Sequence, residues 1–114
     1  MNEKRVGQSA VLLKNGKVLI AGGFGENGIL STSEIYNPQN GSFERTGSMN
    51  FGRGDFTLTL LMNGDVLVTG GEGADNALTS AEIYNPESGN FTLTGNMNFA
   101  RTMHTATLLK ISAI

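Results

Sequence analysis

Apolar residues along this chain gather in short runs separated by turns rich in glycine and asparagine, and the runs are short and aliphatic in the manner of strands. The first, Ser9 to Leu13, contains Ala10-Val11-Leu12-Leu13, and a similar run extends from Thr57 to Leu61. Asn15-Gly16 follows the first run at once. Because Asn-Gly tolerates positive φ at both centres of a type I′ turn, Lys17 to Ala21 is expected to fold directly back as a second strand, ending at Gly22-Gly23. After a loop of variable content (24–30, and 72–78 further on), a third strand is expected through Glu34, Ile35 and Tyr36. Asn37-Pro38 to Gly41 then turns the chain into a fourth strand around Phe43. The first two strands are nearly continuous apolar runs and the last is mixed (Ser42-Phe43-Glu44-Arg45), which predicts inner strands buried on both faces and outer strands partly wet.

The pattern repeats without gaps. Arg5, Arg53 and Arg101 set the register, since 53 − 5 and 101 − 53 both give 48. In that register Gly22-Gly23 falls on Gly70-Gly71, and Glu34-Ile35-Tyr36-Asn37-Pro38 on Glu82-Ile83-Tyr84-Asn85-Pro86. Phe43 falls on Phe91, and Met49-Asn50-Phe51 on Met97-Asn98-Phe99. Four-stranded units graded from dry to wet, each unable to bury its faces alone, describe the blades of a propeller around a central channel. The expected organisation is one all-β domain over 1–114: a blade at 5–52, a blade at 53–100 and a lone inner strand at 101–110.

Three segments resemble the kelch repeat of bacterial-type propellers and of galactose oxidase-like central domains: Arg101 to Leu109, Asn15 to Gly23 with its double glycine, and Glu34 to Pro38. The resemblance spans nearly the whole chain. It implies structural repeat roles for Gly22, Gly23, Gly70, Gly71, Glu34, Glu82, Tyr36 and Tyr84, with Phe43 and Phe91 where the family usually carries tryptophan. The first-strand histidine of the family stands only at His104, with Gln8 and Phe56 at the matching positions, so no role needing histidine in every blade is available.

Composition narrows the chemistry. Sixteen glycines against 2 prolines fit a turn-rich β fold, and a net charge of −2 from 8 basic and 10 acidic residues without a basic run argues against a nucleic-acid partner. No stretch is apolar enough to insert in a membrane, and no signal-like segment opens the sequence, which leaves the compartment undetermined and an extracellular or cell-surface parent open. Zero cysteines and one histidine offer neither thiolate ligands nor a triad, and no cofactor, metal site or catalytic residue is expected. Gly23 to Gly28 spells G-x-G-x-x-G, but no helix follows to hold a pyrophosphate.

The residues singled out are Arg5, Arg53 and Arg101. Repeated at one blade position, they read either as a rim that grips an acidic ligand, with Asn50 and Asn98 as companions, or as buried latches onto Glu34 and Glu82, which desolvation demands of any buried arginine. The functional expectation is a kelch-type binding or protein-interaction module without catalysis. The alternative is a fragment of a carbohydrate-acting propeller enzyme (a sugar oxidase or sialic acid epimerase-like protein) with its catalytic residues on other blades. The expected partner is a protein or carbohydrate ligand. Because roughly four to eight blades close a ring, a homotrimer or homotetramer, or the remaining blades of a longer parent, is expected to complete it. After Lys110 the repeat calls for another Asn-Gly turn, where Ile111-Ser112-Ala113-Ile114 stands, so a truncated paralogue or gene fragment is expected.

Overall fold

A computed structural model describes residues 3–74 and 76–94. Among the described residues every regular element is a strand, and the strands form two four-stranded antiparallel sheets and one small hairpin. The first sheet is ordered β1 (Ser9–Leu12), β2 (Val18–Ala21), β5 (Ser33–Asn37), β6 (Ser42–Arg45). The second is its copy: β7 (Thr57–Leu60), β8 (Val66–Thr69), β9 (Ala81–Asn85) and β10 (Asn90–Leu93). The strand expected at 101–110 lies outside the described residues. The variable loop at 24–30 contains a hairpin that the sequence did not announce, β3 (Phe24–Gly25) with β4 (Gly28–Ile29). Its counterpart in the second repeat is reduced to a bridge between Glu72 and Ala77.

The turn between β1 and β2 differs from the expected type I′ geometry. Gly16 N–H donates to Leu13 O and Leu13 N–H to Lys17 O, and of the two turn residues only Gly16 has positive φ (87°). The loop is therefore the three-residue kind, Lys14-Asn15-Gly16, with glycine in the left-handed position. Asn15 stays right-handed, and its Oδ1 accepts the Lys17 amide at 2.9 Å. The second repeat repeats this arrangement at Leu61, Gly64 (φ 96°) and Asp65.

Side chains of paired residues share a face in an antiparallel sheet. One face of the first sheet, here called its front, carries Leu12, Val18, Ile20, Tyr36 and Phe43, and its reverse carries Val11, Leu19, Ala21 and Ile35. The two sheets stack front to reverse. Leu13, Leu19 and Ala21, backed by Val11 and Ile35, pack on Val66, Val68, Tyr84 and Phe91 of the second sheet's front, with Met49 and Phe56 at the margins. On the reverse of the second sheet Leu61, Leu67 and Ala81 form a separate buried cluster with Ile83 against it.

The predicted burial gradient needs correcting in two places. All four residues of β8 are buried, but β1 alternates and Leu12 is 62% exposed, because no described element covers the front of the first sheet. The third strands are not wet: Ser33, Glu34, Ala81 and Glu82 are all buried. Where the sheets meet, Gly22 (φ 66°) and Gly23 (φ 99°) let the chain from the next repeat approach, and Gly23 N–H donates to Arg53 O at 2.7 Å. A side chain at Gly22 would strike the Arg53 carbonyl, and one at Gly23 the Val6 carbonyl. Gly70 (φ 68°) and Gly71 (φ 87°) take the same conformation.

Candidate functional site

The repeated arginines enter the fold just before each first strand, and the double glycine and the third strand supply what they need. A guanidinium has five N–H donors and no acceptor, so burying one requires carbonyl and carboxylate oxygens on several sides. Arg53 obtains them from three segments: Nη1 donates to Gly70 O and Ser80 O, both at 2.9 Å, and Nη2 donates to Ser80 Oγ at 2.9 Å and Glu82 Oε2 at 3.0 Å. Arg5 repeats the set on Gly22 O (3.0 Å), Thr32 O (2.8 Å), Thr32 Oγ1 and Glu34 Oε2 (3.1 Å), and Glu3 Oε1 lies 3.5 Å away as a second carboxylate. Neither arginine side chain has any exposed surface.

These positions correct the reading of Arg5 and Arg53 as a ligand-gripping rim. Their donors face inward onto Glu34 and Glu82, each within its own repeat, and a ligand would meet no guanidinium surface. Asn50 is likewise committed: its backbone N–H (2.8 Å) and Nδ2 (3.0 Å) both donate to Glu82 Oε1, and Phe51 N–H donates to Oε2 at 3.2 Å. Glu82 thus joins the arginine of its own repeat to the segment crossing over from the first sheet. Glu34 receives Glu3 N–H in the same fashion. Arg101, Asn98 and His104 lie outside the described residues.

Burial lowers the pKa of Arg53 from its ordinary value, and the hydrogen bond and charge of Glu82 act against that shift. Tyr84 is pushed up by burial, partly offset by its 2.8 Å hydrogen bond with Thr46 Oγ1, which crosses from the first sheet. Tyr84 rests on Phe91 with ring centroids 4.7 Å apart, and Tyr36 rests on Phe43 at the same separation. Both tyrosines therefore occupy the structural position expected of them. Thr46, Thr32 and Ser80 escaped the sequence reading, although Thr32 and Ser80 recur at the repeat interval, as do Thr46 and Thr94. Among the described residues no three His, Cys, Asp or Glu side chains converge as metal ligands.

Replacing Arg53 with alanine leaves the Glu82 carboxylate buried without its cation, and is expected to destabilise the fold by about 3 kcal/mol or more in denaturant titrations. Arg45, whose side chain is 58% exposed and 3.9 Å from Glu3, provides the control, with an expected loss of less than about 1 kcal/mol on mutation to alanine.

Three comparisons bear on this arrangement. The family model for the Kelch motif matches residues 5–50 and 58–98, once on each sheet with its flanking turns. The solved structure of YjhT superposes with a TM-score of 0.77 at 14% identity, covering 86% of this chain and 39% of that one. A fungal alcohol oxidase of the AA5 family, in complex with copper, superposes with a TM-score of 0.75 at 18% identity, covering 85% of this chain and 23% of the oxidase. The chain therefore spans well under half the length of either structure, and at such identities the likeness is one of fold. No curated protein matches the sequence. Two gapless repeats, each a four-stranded sheet closed by the same arginine–glutamate pair, and two matches to the motif model make the chain a member of the kelch-repeat family, built of β-propeller blades.

Proposed function

We propose that this chain is a non-catalytic kelch-type interaction module whose binding surface is the front of its first sheet. One observation carries the reading: the same residue set is buried in one repeat and open in the other. On the second sheet Val66 and Val68 are 0% exposed, Tyr84 1% and Phe91 8%, all beneath the reverse of the first sheet. On the first sheet their counterparts Val18, Ile20, Tyr36 and Phe43 are only half-buried, and Leu12 is exposed. The covered copy specifies the occupant of the open one. It is another kelch sheet presenting aliphatic side chains, with a threonine hydroxyl placed for Tyr36 as Thr46 is for Tyr84.

The polar groups that recur with the repeat support the absence of catalysis, because they are spent on each other. An acid, base or nucleophile must retain a group free to reach substrate, and the arginines, Glu82 and Asn50 do not. The fold likeness to a copper-bound alcohol oxidase keeps a propeller-enzyme parent as the second reading, with its chemistry on other blades.

In isolation the open face has only other copies to meet. Light scattering across a concentration series is expected to show self-association, reduced by Leu12→Glu with the melting temperature unchanged, since Leu12 is exposed. A monodisperse wild-type monomer with a cooperative melt would contradict the reading. Supplied with copper, the purified chain is expected to turn over no primary alcohol, and activity lost on replacing His104 would overturn the non-catalytic assignment.

A further inference from the structure

At the opposite end of the strands from the latches, the two Lys-Asn-Gly-type turns leave a cleft of about 380 Å³ between the sheets. Its apolar lining is Leu13, which is buried, and Pro86. Lys14 spans the gap, donating from Nζ to Met62 O in the second repeat. Around this lining stand the side chains of Asn15, Asn63 and Asn85, and the carboxylates of Asp65 and Glu87.

The asparagines are fixed in one orientation by their own turns. Asn15 Oδ1 accepts Lys17 N–H, Asn63 Oδ1 accepts Asp65 N–H at 3.0 Å, and Asn85 Oδ1 accepts Glu87 N–H at 2.9 Å. With every side-chain carbonyl spent on backbone, each amide has only its Nδ2 donors left to offer, and Asn63 Nδ2 already lies 3.3 Å from Asp65 Oδ2. Donors and acceptors are thus paired side by side at an apolar lining. The combination discriminates between ligand classes. A metal cation would meet outward-facing amide donors, and an anion would meet two carboxylates against a single ammonium. A peptide of either charge gains little from so short a cleft. A hydroxyl both donates and accepts, and neighbouring ring hydroxyls present that pairing in duplicate, with C–H faces suited to leucine and proline.

We infer that this cleft is a binding site for a neutral polyhydroxylated ligand, a short saccharide, held by the amides of Asn15, Asn63 and Asn85 and the carboxylates of Asp65 and Glu87. The site rests on the reading of the chain as a binding module but not on the sheet face proposed above, and Leu12→Glu leaves it intact. Being open to solvent, it is suited to millimolar affinity.

Side-chain amide resonances of the isotope-labelled chain, carrying Leu12→Glu to hold it monomeric, test the site, with glucose, galactose, maltose and lactose as probes. At least one probe is expected to shift the NH2 signals of Asn15, Asn63 and Asn85 in a saturable manner. Asp65→Asn combined with Glu87→Gln is expected to weaken that response about tenfold or more. If the double variant melts lower than its parent, Glu87→Gln alone carries the comparison, since its side chain is exposed and makes no recorded contact in the fold. No shift at these amides with any probe, or shifts of equal affinity in the variant, would overturn the inference. Failure here with self-association intact would leave the interaction-module reading standing.

Discussion

A charged guanidinium with no exposed surface is tolerable only where the chain delivers oxygens to several of its donors, and this requirement organises each repeat. For Arg53 the oxygens come from the double glycine (Gly70), the approach to the third strand (Ser80) and the third strand itself (Glu82). The three segments are far apart in sequence, so the pair fixes the second strand, the variable loop and the third strand relative to the entry of the first. Burying two charges is costly in itself. Here Glu82 is not left with the arginine alone: the amides of Asn50 and Phe51 reach it from the crossing segment, so the same carboxylate that closes one sheet ties it to the preceding one.

The glycines and the tyrosine complete that junction. Gly22 and Gly23 are placed where the Arg53 and Val6 carbonyls pass, so the double glycine both bends the chain and lets the next repeat approach. Thr46 brings a hydroxyl to Tyr84, and Gly47 N–H donates to Gly89 O at 2.9 Å. Together these contacts bring the aliphatic reverse of one sheet onto the aromatic front of the next. The stacking is heterologous, front to reverse, which is why it leaves the front of the first sheet open instead of closing on itself.

Much of this was legible because the repeat is gapless. The register of Arg5 with Arg53, and of Glu34 with Glu82, identifies two residues that must change environment together, and desolvation says that a buried arginine needs a carboxylate. The choice between latch and ligand rim was not legible, since identical spacing satisfies both and only burial separates them. Asn15-Gly16 named a turn but not its type, because nothing in the pair reveals that Lys14 joins the loop as a third residue. The exposure of Leu12 was hidden for a different reason: Leu12 and Leu60 occupy equivalent positions, and what differs is the neighbouring sheet. Thr46 gave too weak a signal, one hydroxyl among many, until Tyr84 was placed beside it.

The account depends most on Arg53 and Glu82 acting as one unit, and a double-mutant cycle in denaturant measures that directly. Arg53→Met and Glu82→Leu each strand a buried partner, while the double variant removes both charges and keeps apolar volume. The predicted result is a coupling energy of about 2 kcal/mol or more, with the double variant less destabilised than the two single changes sum to. Additive single changes, with no coupling, would contradict the claim that this pair holds the repeat together.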